Sequence, residues 1–337
     1  MELRRVQMTG GSSYVITLPK NWVESMHIQK NDPLGVLIQP DGTLLITRNI
    51  SGDHIQREKE VTVDSTTEPE YFLRLLIGIY IAGYNAIRVT SKERIPGQIR
   101  IKLREFSHMV IGPEFVEETD HHILIKDLLN PMELPFENSL KRMFVIVKGM
   151  HSDAIEALLS DLPDLAKDVI ECDNDVDRLF WLIGRQTNMI SHNIHLSRKM
   201  NTTIARMLPH YQVGRIMERV GDHGVRIAHN VLKIHASDIG KELSDHITKA
   251  SEGALDVFER SVEAFFTHDL KKANNVIESI HQLEENYNLI NNEILDLITT
   301  IAIPIRNITD SIRRTGEYSA DIAENVINYE MMIEETG

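Results

Sequence analysis

The sequence predicts a multidomain α+β protein, in which a small β-rich N-terminal domain and a small α+β middle module precede an all-α domain of two three-helix bundles. Up to about residue 134, short apolar runs alternate with turn signals and with three helical patterns. From residue 135 onward, apolar residues recur at three- and four-residue steps, and this helical part repeats itself. We place the predicted domain boundaries at residues 1–50, 54–134, 135–236 and 240–332.

The composition is that of a globular protein with a sizeable core. Of the 337 residues, 42% are hydrophobic and 26% charged, and a single cysteine excludes a disulfide framework and a Cys-based zinc finger. No apolar stretch follows the N-terminal Met-Glu-Leu-Arg-Arg, so no secretory signal is expected. The best membrane candidate, residues 71–87, contains Arg74 and is shorter than the roughly 20 apolar residues that a span requires. We therefore expect a cytoplasmic protein without a membrane span.

The formal net charge of -14 is spread unevenly along the chain. The first fifty residues carry a small positive excess, whereas the remainder is strongly acidic. An acidic surface repels nucleic-acid phosphates and suits cations or basic partner surfaces. Any contact with DNA is therefore expected in the first fifty residues.

The N-terminal and middle segments each combine short strands with helices. In the N-terminal segment, the turns 10–13 and 39–42 separate strands predicted near residues 4–7, 14–18, 34–38 and 44–47, and a short helix follows Pro19 near residues 21–26. The middle module is predicted to contain strands near residues 61–63, 86–89, 114–118 and 122–126, and helices near residues 69–84 and 98–108. No catalytic constellation is apparent in the middle module.

The helical half contains an internal repeat. Residues 217–231 align with residues 312–326 at a shift of 95, and residues 157–171 align more weakly with residues 264–278 at a shift of 107. The difference between the two shifts fits a shorter connection in the second copy. Two successive three-helix bundles explain this pattern.

Two pairs of acidic residues lie on or beside the apolar stripes of neighbouring helices in the first copy. Asp173 and Asp177 are four residues apart, as are Glu218 and Asp222. An ionised carboxylate beside a core is costly unless it is paired or bound to a cation, and four carboxylates would suit Mg, Mn, Fe or Zn. The alternative is that these acids form ion pairs with nearby arginines, namely Arg178, Arg215 or Arg219.

The second copy retains only part of this pattern. Ile280 replaces the first aspartate, Glu284 the second, and Arg313 and Glu317 replace the acidic pair on the third helix. Asp321 restores one carboxylate a turn further on, which gives Glu284, Glu317 and Asp321 as weaker metal candidates. Arg313 and Glu317 could equally pair with each other as i,i+4 neighbours.

Catalysis has no positive sign in this sequence. A di-iron bundle would need a Glu-x-x-His motif on each of two helices, and in the helical half only the one at Glu278–His281 occurs. No glycine-rich phosphate loop or Ser-His-Asp arrangement is apparent, and no motif around Cys172 suggests a nucleophile. We therefore expect a non-enzymatic protein, with a metal-dependent enzyme as the weakest alternative.

The chain resembles a combination known from archaeal phosphate-uptake regulators, in which an N-terminal SpoVT-AbrB-like domain precedes a PhoU domain. The stretch 5–23 resembles the AbrB-type signature. Glu218-Arg219-Val220-Gly221-Asp222 resembles the Glu/Asp-x-x-x-Asp motif that PhoU proteins repeat, and Asp173 with Asp177 matches its partner pair. The resemblance covers roughly residues 1–50 and 135–330 and leaves the middle module unaccounted for.

The resemblance implies a regulator of phosphate homeostasis. PhoU domains are similar to metal-binding scaffolds and act on a phosphate transporter or sensor, and AbrB-like domains form swapped-hairpin, intertwined β dimers that often bind DNA. We expect a homodimer that binds promoter DNA through Arg4, Arg5 and Lys20 on the phosphates. The candidate DNA-binding set also includes Ser12 and Ser13 of the glycine-rich turn.

A different class of function remains open. The N-terminal domain could serve only to dimerise the chain, and the protein could then be an adaptor that never touches DNA. Such an adaptor would modulate a phosphate ABC transporter or a sensor through its helical surface. The two hypotheses differ in what they expect of Arg4 and Arg5, which are essential only to the DNA-binding regulator.

Overall fold

The computed structural model describes residues 2–39, 42–48, 57–130 and 133–334, and the chain forms two compact units, residues 1–54 and 55–335. The first unit is the β-rich segment, and the second contains the α+β module and the helical domain. The predicted fold class is confirmed. In the described part of the chain, no helix is both long and apolar enough to span a membrane.

The first unit consists of two antiparallel hairpins and one short helix. Its elements are β1 (Gln7–Thr9), β2 (Ser13–Val15), α1 (Lys20–Ser25), β3 (Gly35–Ile38) and β4 (Leu44–Thr47). Gly10 and Gly11, between β1 and β2, have φ angles of 65° and 84°, which glycine adopts without the steric penalty of a Cβ. The second predicted turn includes Pro40 and Asp41, which lie outside the described residues.

The first strand begins three residues later than the sequence predicts. The tight glycine turn places Thr9 opposite Ser13, so Gln7 is opposite Val15, the last residue of β2. The predicted strand at residues 4–7 therefore coincides with β1 only at Gln7. The second predicted strand, at residues 14–18, is likewise displaced to Ser13–Val15 because the turn sets the register of both strands.

This unit has no buried hydrophobic side chain among its described residues. Apolar side chains that alternate along hairpins normally pack against a second layer, which provides most of the stability of a small sheet. Here a row of them is more than half exposed: Leu3, Val6, Met8, Tyr14, Val36, Ile38 and Leu44.

The middle module is a four-stranded sheet packed against two helices. Its elements are β5 (Glu58–Thr62), α2 (Pro69–Ile81), β6 (Ala86–Thr90), α3 (Gly97–Met109), β7 (Pro113–Glu118) and β8 (His122–Asp127). The strand order is β5-β6-β8-β7, with β5 parallel to β6 and the other pairs antiparallel. Alternate residues of β6 and β8 pack against α2 and α3 to form the core.

The helical domain contains two copies of a three-helix arrangement that share one hydrophobic core. The first copy comprises α4 (Phe136–Ser160), α5 (Pro163–His192) and α7 (Ile204–Val231), with the short helix α6 (Ile194–Lys199) before α7. The second comprises α8 (Lys241–Thr267), α9 (Leu270–Ser279), α10 (Glu284–Ile294) and α11 (Thr299–Glu334). Pro209 in α7 and Pro304 in α11 occupy equivalent positions at the shift of 95 that the repeat predicts.

The second copy differs from the first because its middle helix is interrupted. A 3-10 turn, Ile280–Leu283, separates α9 from α10, whereas α5 is continuous. Leu283 fills a narrow space between Gly253 of α8 and Gly316 of α11, where an added Cβ would lie 2.8 and 2.9 Å from its methyl groups. A second 3-10 turn, Ala236–Asp238, joins the two copies.

A buried histidine lies where the two copies meet. His151 of α4 is fully buried, its Nε2 lies 3.0 Å from the Ser251 hydroxyl of α8, and its Nδ1 lies 3.4 Å from the Thr315 hydroxyl of α11. Burial, followed by the nearby His223, lowers the pKa of His151 to about 4. The imidazole is therefore neutral at pH 7 and links three helices.

Candidate metal centre

The predicted acidic residues of the first copy lie on two helices that pack side by side. Asp173 and Asp177 are on α5, and Glu218 and Asp222 are on α7. The spacing of four residues places each pair on one helix face. The helices come close between the pairs because Gly221 has no side chain, and an added Cβ there would touch Val176 at 3.5 Å.

The four carboxylates act on one another electrostatically. Burial raises the pKa of each of them, and the charge of Asp222 raises the pKa of Asp173 and of Glu218 further. Burial first, and then the three other carboxylates, raise the pKa of Asp177 to about 7. The cluster therefore favours uptake of positive charge, either as a proton or as a cation.

The arginines near this cluster do not neutralise it by direct contact. Arg178 lies 3.8 Å from Asp175, which is outside the cluster. Arg215 and Arg219 lower the pKa of Glu218 through their charges, which partly offsets the effect of burial, but they do not contact its carboxylate. Within the described ranges, none of the four carboxylates forms an ion pair or a side-chain hydrogen bond. The ion-pair alternative therefore has no support in these contacts.

The four carboxylates are not close enough together to form a metal coordination sphere. Among the residues that the structure describes, no three His, Cys, Asp or Glu side chains are close enough together to hold a metal ion. Four like charges repel one another, so the side chains of an acidic cluster stand apart unless a cation draws them together. The donor set still fits a hard or borderline cation, because it offers carboxylate oxygens from two helices.

The second copy is electrostatically different. Glu317 forms ion pairs with Arg313 and, at 2.9 Å, with Arg314, so the i,i+4 contact that the sequence suggests is present. Glu284 is exposed at the start of α10 and lies 4.0 Å from His281. Asp321 is exposed, although partial burial and then Glu324 raise its pKa. These three residues do not form an unpaired cluster like that of the first copy.

The middle module contributes to the surroundings of Asp177, which the sequence does not indicate. A cavity of about 340 Å³ lies between α3 and α5. Among the side chains that line it are Glu105, His108, Asp175, Asp177, Arg178 and Trp181. The Nε of Arg178 is buried and has no hydrogen-bond partner. Contacts between such distant segments leave no periodic signal in a sequence.

A buried ion pair fixes the middle module to α5. The Nη2 of Arg185 lies 2.7 Å from Oδ2 of Asp127, and its Nε donates a hydrogen bond to the same oxygen at 3.0 Å. The Nη1 donates to the carbonyl oxygen of Tyr80 at 2.6 Å, and the guanidinium lies 4.8 Å from the centre of the Tyr80 ring. The helix that carries Asp173 and Asp177 is thus anchored to the sheet module.

The predicted DNA-binding residues all lie in the first unit and are all exposed. Arg4 forms an ion pair with Glu2, and Lys20 lies 3.6 Å from Glu24. Ser12 and Ser13 follow the two glycines of the β1–β2 turn. No ion pair to Arg5 is found in the described part of the chain.

The fold and the acidic cluster define a class of tandem three-helix-bundle proteins with carboxylates between the second and third helices. The PhoU domain model matches residues 140–231 and 247–326, about half of the chain. The chain belongs to the PhoU family. A second model, described as antidote-toxin recognition MazE, bacterial antitoxin, matches residues 7–52, so neither model covers most of the middle module.

Curated relatives and a solved structure agree with this assignment. The "Phosphate-specific transport system accessory protein PhoU homolog" of Rhizobium meliloti is 24% identical over 196 residues, which cover 56% of this chain and 80% of the relative. The protein of the same name from Caulobacter vibrioides is 24% identical over 200 residues, covering 58% and 85%. The crystal structure of PhoU from Pseudomonas aeruginosa shares the fold, with a TM-score of 0.50, 16% identity and coverage of 59% of this chain and 97% of that one.

Proposed function

We propose that this protein regulates phosphate uptake, with a metal-loaded helical domain and an N-terminal unit that dimerises the chain and binds promoter DNA. Membership of the PhoU family carries the first part, because the matched relatives are named accessory proteins of phosphate-specific transport. The absence of a catalytic constellation in the sequence supports a regulatory protein and not an enzyme. Phosphate transporters or their sensors are the corresponding protein partners.

The acidic cluster supports the metal part of this proposal. Four carboxylates with raised pKa values and without ion-pair partners carry a charge excess that Fe, Zn, Mn or Mg would relieve. A bound divalent or trivalent ion would also join α5 to α7. Asp173, Asp177, Glu218 and Asp222 are the residues that would hold it.

Replacing Asp177 and Asp222 together by alanine is expected to lower the amount of metal bound per chain without unfolding the helical domain, because both side chains lie at the surface of the core. Elemental analysis of the purified protein measures the bound metal, and circular dichroism checks the fold. Glu171→Ala on the same helix, exposed and outside the cluster, is the matched control. An unchanged metal content in the double variant would contradict the assignment.

The exposed apolar residues of the first unit support a homodimer. A single copy of this unit leaves its hairpins uncovered, and a second copy of the chain can supply the missing layer. The MazE match over residues 7–52 and the resemblance to AbrB-like domains point to the same arrangement. A dimer would also present two sets of basic residues to DNA.

Arg4→Ala with Arg5→Ala is expected to abolish salt-sensitive binding to DNA fragments from upstream of phosphate-transport genes. Each phosphate contact contributes roughly 0.9 to the slope of log K against log salt, so removing four arginines from a dimer lowers that slope by up to about 4. Binding is measured across a salt series, with Lys30→Ala as an exposed basic control in the same unit.

The same measurement separates the regulator from its alternative. The names of the relatives favour an accessory protein that acts on a transport system, and such an adaptor needs no DNA. If neither the wild-type protein nor the variant binds DNA, the adaptor is supported, and its helical surface becomes the place to look for a transporter or sensor.

A further inference from the structure

A cavity of about 480 Å³ lies in the helical domain where elements of both copies meet. It is lined by the start of α4, the connection between α6 and α7, the first half of α7, His268 at the end of α8 and Tyr329 of α11. The chain as a whole is acidic, yet this wall includes two cationic side chains and two histidines. Its charged, histidine and tyrosine side chains are Glu137, Lys199, Arg206, His210, His268 and Tyr329.

Two of these polar side chains are almost completely buried and lack a partner for one polar atom. His210 is 7% exposed and Tyr329 is 5% exposed. The Nδ1 of His210 donates to the carbonyl oxygen of Arg206 at 2.7 Å, which places the proton of the neutral ring on Nδ1 and leaves Nε2 as an acceptor. Among the described residues, neither this Nε2 nor the Tyr329 hydroxyl forms a hydrogen bond.

The cavity wall therefore presents one open acceptor and one open donor, and a ligand that fits both groups can bind there. Burial lowers the pKa of His210, which keeps its ring neutral and its Nε2 an acceptor at pH 7. Burial raises the pKa of Tyr329, which keeps its hydroxyl protonated and a donor. The ligand must therefore both accept and donate a hydrogen bond.

The charged groups of the cavity favour a negatively charged ligand. Arg206 has no ion pair in the described part of the chain, and Lys199 also lines the cavity. No side chain caps the start of α4, where Phe136 and Glu137 line the cavity, so first-turn amides of a 25-residue helix add positive potential. His268 interacts with Glu330 at 2.7 Å, and Glu137 is the one acidic residue among the described residues that line the cavity.

We propose that this cavity binds a phosphate group, either as inorganic phosphate or as a phosphomonoester. Arg206, Lys199 and the amides at the start of α4 bind its oxygens, and the Tyr329 hydroxyl donates to another oxygen. The Nε2 of His210 accepts a hydrogen bond from the P–OH group of inorganic phosphate or from a hydroxyl group of the organic part of an ester. The proposal rests on the proposed function, because it supplies the phosphate-uptake regulator with a signal that it can sense.

The same geometry predicts selection against sulfate. Sulfate has no proton at neutral pH, so it cannot donate a hydrogen bond to the Nε2 of His210. Its negative charge near the Glu137 carboxylate would then not be offset by that hydrogen bond. A site that accepts a hydrogen bond from its ligand favours that ligand over an analogue without the donor.

The test is calorimetric titration of the full-length chain with sodium phosphate, glycerol 3-phosphate and sodium sulfate at equal ionic strength and neutral pH. Each titration is run before and after treatment with a chelator, which excludes binding through a metal ion at the acidic cluster. We expect at least one phosphate probe to bind in both preparations, and sulfate to bind at least about tenfold more weakly. Binding of phosphate alone or of the ester alone identifies the source of the group.

Two variants locate the binding. Tyr329→Phe removes only the hydroxyl and is expected to weaken binding about tenfold, as is Arg206→Gln, an exposed position that tolerates replacement. Arg198→Gln on α6 removes the same charge outside the cavity and should leave binding unchanged. Circular dichroism shows whether each variant is folded. If Tyr329→Phe does not fold, the phosphate affinity of Arg206→Gln tests the site.

Several results would overturn the proposal: no binding of either phosphate probe up to about 10 mM, equal binding of sulfate, or equal weakening by Arg198→Gln. Its failure is distinguishable from failure of the proposed function. Salt-sensitive DNA binding without phosphate binding keeps the regulator and removes this site, whereas phosphate binding without DNA binding keeps the site and removes the DNA-binding role.

Discussion

Replacing Arg185 by methionine is expected to lower the free energy of unfolding of the second unit by about 3–5 kcal/mol, because it leaves Asp127 charged, buried and unpaired. The side chains of both residues are at least nine-tenths buried. Methionine keeps much of the apolar stem of the arginine, so the loss is mainly electrostatic. Urea unfolding of the full-length chain, followed by circular dichroism, measures the effect.

A double-mutant cycle separates the ion pair from other effects of the substitution. Arg185→Met with Asp127→Asn removes both charges and is expected to be less damaging than the sum of the two single changes. Arg178→Met, at a more exposed arginine of the same helix, is the matched control and should cost about 1 kcal/mol or less. Strict additivity of the two single changes would contradict the role of this pair in holding the middle module to α5.

Without metal, Asp177→Asn is expected to stabilise the protein at pH 7.5 and to have little effect near pH 4. The pKa of Asp177 is raised to about 7 in the folded protein, above its ordinary value, so between these values the folded state binds more protons than the unfolded state. Stability is therefore lost as pH rises through this range. The shift corresponds to up to about 4 kcal/mol, and screening by solvent reduces the expected gain to about 1–3 kcal/mol.

With Mn²⁺ or Zn²⁺ present, the order is expected to reverse, because the wild-type protein gains binding energy that the variant loses. Thermal unfolding of both proteins at each pH, with chelator and with metal, provides the comparison. Comparing variant with wild type at the same pH cancels the contribution of the buried histidines. Glu171→Gln should not change either result, and equal stability of Asp177→Asn and wild type under all conditions would show that the four carboxylates do not form a coupled site.

The elements of the middle module could be predicted closely from the sequence because local signals mark their ends. The helix predicted at residues 69–84 is observed at Pro69–Ile81, with a proline in its first turn and Gly83 at a positive φ just beyond it. The strand predicted at residues 122–126 is observed at His122–Asp127. The acidic cluster was likewise predictable, since i,i+4 spacing on two adjacent helices is a periodic pattern.

Features that depend on single long-range contacts could not be predicted in this way. The pairing of Arg185 with Asp127, and the meeting of His210 with Tyr329, each bring together residues far apart in the chain without any repeating pattern. The short helix α6 starts at the side-chain cap of Asn193, a local signal that the apolar periodicity obscures. The interruption between α9 and α10 coincides with the packing of Leu283 between two glycines on other helices, which is a property of the assembled bundle.

The buried imidazole at the junction of α4, α8 and α11 gives the two halves of the helical domain a common response to acid. His151 is neutral when folded, and its pKa of about 4 lies below that of an exposed histidine, so an unfolded chain takes up a proton that the folded chain refuses. The free energy of unfolding therefore falls as the pH is lowered from the pKa of an exposed histidine to about 4. Because the ring hydrogen-bonds to hydroxyls of the second half from within the first, protonation opposes the folding of both halves at once. The two copies of the repeat are thereby linked in their response to acid.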